Sequence, residues 1–426
     1  MWLRDWTGPK IGRRRPGTGK GAEMGKETTS PELAGARADA DLVGRARTLA
    51  PAIAEAAARI EAEREVTPEI VDSLHEAGLF RILLPRSLGG HEASPVEFVC
   101  AAEELAKADA STAWCVAQIG GASTIAASLD PEAARRIFVD DPRAMIAVGP
   151  PNASGKAVAV EGGYRLNGTW QFASGSRHAN WLGSHCAVLE TDGTPRRDAA
   201  GQPVQRTMIF PKRDANVMDV WHVMGLKGTG SDSFSVTDLF VPERHTMTAF
   251  GRNPVEKRER GPLYQFTTFQ LHGASFAAIA IGLAQASLDA FIELAKGKTP
   301  YGLSYVLKDN AVIQSQIGIA QSQLAAARVF LHHTLTEMYE GARAGGITVP
   351  QRVQLRMGSC NAAYTARQVV DTAYHAAGAT AIFESNPFER RFRDVHTVSQ
   401  QVQSHFAVFE AIGQYYLGLP LHPRLI

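Results

Sequence analysis

Helices, then strands, then helices again: the sequence predicts an α+β multidomain fold. A helical N-terminal domain, a middle β-barrel or sandwich and a C-terminal helical bundle should follow one another along the chain. Three observations carry this. Residues 41–146 are Ala- and Glu-rich with helix start and stop signals, residues 147–258 turn glycine-rich with short β-branched segments, and residues 259–426 return to helical spacing. Strands gathered in one block, instead of alternating with helices, argue against a wound α/β sheet.

The elements follow in order. Residues 1–40 read as a disordered basic tail, rich in Gly and Pro and without apolar periodicity. Arg13–Arg15 leave a nucleic-acid or membrane arm as an alternative there, and Met24 an alternative translation start. "ARTLAPAIAEAAARIEAEREV" favours helix by composition. Thr67-Pro68 then supplies an N-cap with Pro at the first helical position, and Gly78 a stop. "SPVEFVCAAEELAKADASTAWCVAQIGGASTIAASL" reads as two buried helices broken near Asp109. In the middle block, "GYRLNGTWQFASG" has Asn167-Gly168 between two apolar stretches, which predicts a hairpin. "NWLGSHCAVLE", "QRTMIFPK" and "DSFSVTDLFVP" are further strands. In the last block, Ile313, Ile317, Ala320, Leu324, Ala327, Leu331 and Leu335 recur at helical intervals, a bundle stripe.

The totals exclude several function classes. The chain has 426 residues, 45% hydrophobic and 20% charged, with net charge +1, so no overall field recruits nucleic acid. Cys100, Cys115, Cys186 and Cys360 are scattered, without metal-ligand spacing, which points to a reducing cytoplasm. No apolar run reaches the roughly 18–20 residues that span a bilayer, and the N-terminus has no apolar signal core, so no membrane is expected. GxGxxG after a strand, GxxxxGK[ST], HExxH and GxSxG are all absent.

Three stretches carry candidate chemistry. "GTWQFASGS" places Trp170 and Phe172 on one side of a strand, before Ser174 and Gly175. An aromatic wall beside a hydroxyl and free amides suits a flat heteroaromatic ring. Read alone, it is more readily a buried strand ending in a turn. "MGLKGTGSDSFSVTDLFVPERHT" sets Lys227, Thr229 and Ser231 among three glycines, alone a hairpin loop. "ERRFRDVHTVSQQ" crowds Arg393, Asp394 and His396 together, and the stretch from His396 to His405 is polar almost all round. A helix of that kind bridges solvent or lines a wet cavity.

These segments, with "AGLFRILLPRSLGG" from Ala77 to Gly90, resemble the acyl-CoA dehydrogenase superfamily in the right order over residues 40–420. Within it the chain is similar to the two-component, group D, flavin-dependent monooxygenases. The resemblance implies a C-terminal four-helix bundle, with flavin between it and the β domain. It places Trp170, Phe172, Ser174 and Gly175 at the isoalloxazine, Thr229 and Ser231 beside it, and Gly378, Ala379 and Thr380 at a neighbour's flavin in a homotetramer.

The branch follows from residues. A dehydrogenase of this fold needs a glutamate soon after the Arg-Asp pair or early in the first bundle helix. Neither 396–409 nor 264–288 contains an Asp or Glu, and His272 stands near the second position. The oxygenase branch places a histidine after the Arg-Asp pair, as His396 is here. Its chemistry is a flavin C4a-(hydro)peroxide attacked by an aromatic or heteroaromatic small molecule, with His396 as base and Ser174 donating a hydrogen bond to the flavin N5 edge. Reduced flavin, FADH2 or FMNH2, and O2 are the implied co-substrates, the flavin coming from a separate NAD(P)H:flavin reductase. Lys296, Lys298 and Lys308 stand where an Arg usually marks a full pyrophosphate site, which leaves FMN and FAD both open. Trp114, Gln118, Ser123 and His272 are the expected substrate contacts, and the histidine many relatives carry before the β domain is missing from this stretch. An acyl-CoA dehydrogenase-like oxidase and a flavin-free scaffold are the alternatives.

Overall fold

The computed structural model describes residues 41–249 and 257–422. The tail 1–40, with Arg13–Arg15 and Met24, lies outside the described residues.

Five helices open the fold: α1 (Leu42–Glu63), α2 (Pro68–Glu76), α3 (Pro95–Ala108), α4 (Ala110–Ser123) and α5 (Pro131–Phe138). Capping sets their boundaries. Ser94 and Glu97 form a capping box at α3, with Pro95 in the first turn. Asp109 sits extended between α3 and α4 and accepts the Thr112 amide at 2.7 Å, so one residue ends a helix and starts the next.

Eight strands follow: β1 (Ile146–Gly149), β2 (Lys156–Val160), β3 (Gly163–Ala173), β4 (Trp181–Leu189), β5 (Gln205–Pro211), β6 (Asn216–Met218), β7 (Asp232–Pro242) and β8 (Thr246–Thr248). They form one mixed sheet in the order β6-β7-β3-β2-β4-β5-β8, with β1 parallel to β4. The sheet curls over itself: Phe234 of β7 meets Phe210 of β5 at 6.1 Å although three strands separate them. No hairpin turn occurs at Asn167-Gly168. β3 runs straight through, pairing along β7 with a register shift there, and the Asn167 side chain accepts the Asp238 amide at 2.9 Å.

Five helices close the chain: α6 (Thr268–Gly297), α7 (Ala311–Arg343), α8 (Val349–Ala377), α9 (Phe388–Val398) and α10 (Ala407–Tyr416). The stripe on α7 is buried at Ile313, Ala320, Leu324, Ala327, Leu331 and Leu335, with Ile317 only partly so. Each buried Leu contributes about 1.5–3 kcal/mol. α6 is long and apolar enough to span a bilayer, but it is the core helix, packed by α3, α4, α7, α8 and α9. The polar stretch after Arg393 is no continuous helix: α9 ends at Val398, and a turn-rich segment leads to α10. Its polar groups satisfy one another, since the Gln401 carboxamide takes the Gln403 amide and donates to Ser404.

Candidate active site

The site begins where β3 leaves the sheet. Between Trp170 and Ala173 the pairing with β7 slips, and Phe172 adopts φ 59°, a left-handed backbone rare for an aromatic residue. That bulge turns two rings to opposite sides. Trp170 points inward, fully buried, with its indole N–H on the His185 carbonyl at 3.0 Å. Side chains at Gly149, Gly155 or Gly168 would each collide with it. Phe172 points outward, 57% exposed, with the Trp221 ring edge-on at 6.1 Å. The expected two-ring wall is therefore corrected to Phe172 alone, because the bulge breaks the two-residue alternation.

Beyond the bulge Ser174, Thr229 and Ser231 meet, all buried. Ser174 Oγ lies 2.6 Å from Ser231 Oγ, and Ser231 Oγ 2.7 Å from Thr229 Oγ1. The ends fix the direction. Thr229 donates its one hydroxyl proton to the Leu226 carbonyl at 2.9 Å, so Ser231 donates to Thr229 and Ser174 to Ser231. The indole N–H of Trp114 then donates to Ser174 at 3.1 Å. Ser174 keeps one free lone pair and no free proton. The expected donation from Ser174 is thus corrected: it can accept one further hydrogen bond. The Gly175 amide is not free either, since it donates to the Thr229 carbonyl at 2.9 Å.

Trp114 extends the site into the bundle. Its ring stacks on Phe276 of α6 at 3.7 Å and 5°, and Phe276 stacks on His272 at 5.4 Å and 14°. His272 is buried, and its Nε2 has no hydrogen-bond partner. Burial pushes its pKa down to about 4, a hydrogen bond to the Gln118 backbone partly offsetting this. The ring is neutral, with an open acceptor at Nε2. Gly121 makes room for it, since a Cβ there would sit 2.3 Å from Nε2. The Ser123 hydroxyl donates to the Gly120 carbonyl at 2.6 Å, so toward a substrate it could only accept. The sequence reading missed Phe276, although it stands four residues after His272 on the same helix face.

His396 lies elsewhere. Asp394 accepts the Leu226 amide at 2.6 Å, so that face of α9 holds the hydroxyl cluster's loop. Two residues on, His396 projects from the other side, bonding Asp371 of α8 at 2.9 Å with Phe392 at 4.4 Å. Arg393 also clamps the loop, bonding Glu61 of α1 at 2.6 Å, Glu389 at 2.7 Å and the Met224 carbonyl at 2.7 Å. A cleft of about 780 Å³, lined by Arg64, Lys227, Glu384, Arg390 and Arg393, opens beside it. Gly378, Ala379 and Thr380 form a tight turn after α8, and Lys298 Nζ donates to Thr380 Oγ1 at 2.7 Å.

This order of helical domain, curled sheet and helical bundle, with a hydroxyl cluster where they meet, defines an acyl-CoA dehydrogenase fold. The acyl-CoA dehydrogenase N-terminal domain matches residues 42–138 and the acyl-CoA dehydrogenase C-terminal domain residues 274–407. A flavin-dependent monooxygenase oxygenase subunit, HsaA of Rhodococcus jostii, is 30% identical over 83% of this chain and 91% of its own. The indole-3-acetate monooxygenase of Pseudomonas putida is 27% identical over 84% of this chain and 88% of its own. The structure of XiaF from Streptomyces sp., in complex with FADH2 and glycerol, superposes with TM-score 0.83 at 25% identity. That structure accounts for 92% of this chain and 98% of XiaF. The chain belongs to the flavin-dependent monooxygenases, as an oxygenase component that works with reduced flavin.

Proposed function

We propose that this oxygenase component takes FADH2 or FMNH2 from a separate NAD(P)H:flavin reductase and hydroxylates an electron-rich aromatic or heteroaromatic small molecule. The observation that carries the reading is the one-way chain from Trp114 through Ser174 and Ser231 to Thr229. It leaves Ser174 as an acceptor beside an outward aromatic ring. A reduced isoalloxazine carries a proton on N5, whereas an oxidised one has a bare nitrogen there. An acceptor at that position suits the reduced form. Phe172 offers the ring a stacking face, and the buried Ser174 end keeps water from the same edge. Bound reduced flavin supplies the activation of O2 and an electrophilic oxygen.

This chain's own residues do the rest. Ser174 Oγ holds the N5 proton in place, which restrains the loss of H2O2. His272 Nε2 accepts a hydrogen bond from a substrate O–H or ring N–H and so orients the ring for oxygenation. Trp114 and Phe276 bound the substrate on the apolar side, with Gln118 on the same turn. The missing carboxylates at 264–288 and 396–409 speak against a dehydrogenase. The indole substrate in the name of one relative fits an N–H facing a neutral imidazole. We place the enzyme in the cytoplasm, in keeping with four free thiols, as a homotetramer in which Gly378–Thr380 of one copy approach a neighbour's flavin.

Ser174→Ala tests the reading. The variant should fold, bind reduced flavin less tightly by about tenfold, and bind oxidised flavin as before. With substrate and O2 it should release more H2O2 per product. Unchanged coupling and unchanged preference for reduced flavin would remove Ser174 from the flavin edge.

A further inference from the structure

Among the described residues, α8 carries a charge with no counterpart. Arg356 is only 3% exposed, and its Nε, Nη1 and Nη2 are all buried without a hydrogen-bond partner. A guanidinium brings five N–H donors, and buried charges are otherwise paired. What surrounds it is neutral. Its carbon centre lies 4.8 Å over the Phe269 ring of α6. Gly273 lets it approach α6 closely, since a Cβ there would stand 3.4 Å from Nη1 and 3.5 Å from Gln403 Cβ. The Cys360 thiol is engaged by the Gln403 carbonyl at 3.4 Å, and burial pushes that thiol up to about 11, so it brings no charge. The stretches that cover Arg356, 264–288 and 396–409, contain no Asp or Glu. Burial alone lowers the arginine's own affinity for its proton, and no carboxylate acts on it.

Its position gives the missing anion a role. Gly273 directly follows His272, whose ring continues through Phe276 to Trp114 and Ser174. Adjacent residues on a helix point about 100° apart. Arg356, packed on Gly273, therefore sits about 100° of turn from the His272 ring on the neighbouring face of α6. Gln403, half-buried on the turn-rich segment between α9 and α10, is the neutral side chain that lies across it.

We propose that Arg356 receives the carboxylate of an anionic aromatic substrate, whose ring then lies toward His272 and Trp114. The planar fork matches a carboxylate with two parallel hydrogen bonds. A substrate acid would complete the ion pair that the fold leaves open, and an uncharged analogue would leave the charge buried and unpaired. Specificity then rests on this side chain, as a polar site rejects ligands that leave it unsatisfied. The assignment rests on reading the Ser174–His272 region as the substrate site.

Calorimetric titration of the full-length protein with three matched pairs tests it: benzoate and benzamide, phenylacetate and phenylacetamide, indole-3-acetate and indole-3-acetamide. At least one acid should bind about tenfold to a hundredfold more tightly than its amide. Arg356→Met should abolish that preference and Arg356→Lys keep part of it. Unliganded Arg356→Met should melt at or above the wild-type temperature, because an unpaired buried charge has been removed. No acid-over-amide preference in the wild type, or a preference that survives Arg356→Met, overturns the proposal. So does a selective loss of FMN over riboflavin binding, which would make the anion a flavin phosphate, or dissociation of the oligomer, which would make it a neighbour's carboxylate. Turnover with reduced flavin is scored separately. Acids that bind through Arg356 without being oxygenated would leave the anion site standing and remove the functional reading.

Discussion

At position 272 an imidazole has no partner at Nε2 among the described residues and no charge. At position 396 another bonds an aspartate and is 29% exposed at its side chain. The second is a partly exposed hydrogen bond between α9 and α8. The first is a neutral acceptor in an apolar setting. Because its pKa lies near about 4, its acceptor stays open as pH falls through the range where an ordinary histidine, at about 6.5, would protonate. His272→Ala is therefore expected to lower product formation by roughly a hundredfold with flavin binding intact. In the wild type, no loss of rate from this group should appear until pH approaches about 4. His396→Ala should keep its product yield. Equal losses in the two variants would give His396 a part in the reaction. The sequence made both histidines visible and could not rank them, because helical phase decides which side each faces. Asp394 and His396 are separated by two residues, about 200° of turn, so anchoring the first on Leu226 sends the second away.

The elements differ in how plainly the sequence announces them. α3 and α4 were legible because Ser94, Pro95, Glu97 and Asp109 are capping chemistry, which acts locally. The α7 stripe was legible because its burial follows a 3.6 period. β3 was not. Asn167-Gly168 is a strong turn dipeptide, yet Gly168 is required by the Trp170 ring packed against it, and β7 pairs along the whole strand. Long-range packing overrode the local signal, and the same bulge hid which aromatic ring faces out. The Arg393-Asp394 pair reads at this scale as a clamp between α9, α1 and the loop that ends at Ser231. Burial, with Asp109 nearby, raises the Asp394 pKa to about 7, while its bond to the Leu226 amide works against the rise. The folded chain thus holds this proton more tightly than the unfolded chain, where the group titrates near about 3.9. Asp394 contributes stability at low pH that is lost as pH rises toward and through 7. Asp394→Asn keeps the acceptor and cannot ionise. Relative to wild type its melting temperature should improve steadily on going from about pH 5 to pH 8. Asp394→Ala should melt lower throughout and release more H2O2, since Leu226, Thr229 and Ser174 lose their anchor. A wild-type and Asn difference that does not change with pH would show that Asp394 is ionised in the folded protein.

Over the whole molecule, buried histidines set the opposite trend. His75, His178 and His272 each have Nε2 buried without a partner, and burial is the leading cause holding each pKa down at about 4. Cations close by add to this for two of them: Arg143 and Arg81 beside His75, Lys212 and Arg177 beside His178. They sit at the end of α2, the turn after β3 and the start of α6, and the charge of His75 acts on His178, so those two titrate together while His272 acts separately. In the unfolded chain each titrates near about 6.5. Between those two values the unfolded chain binds protons that the folded chain refuses. The stability they contribute is fully present above about 6.5 and is lost as pH falls toward 4. Burial pushes up the Asp109 and Asp394 carboxyls, which pull the other way, but His245, Glu61 and Glu103 are held low and pull with the three imidazoles, so the net slope is downward on acidification. Melting temperature measured at constant ionic strength should stay level above about pH 6.5 and fall steeply below it. His75→Leu with His178→Leu leaves the candidate site untouched and removes two of the three protons. That variant should flatten the acid limb while its neutral-pH turnover stays at the wild-type level. An acid limb of unchanged steepness in the double variant would mean that these imidazoles gain their protons without unfolding the chain.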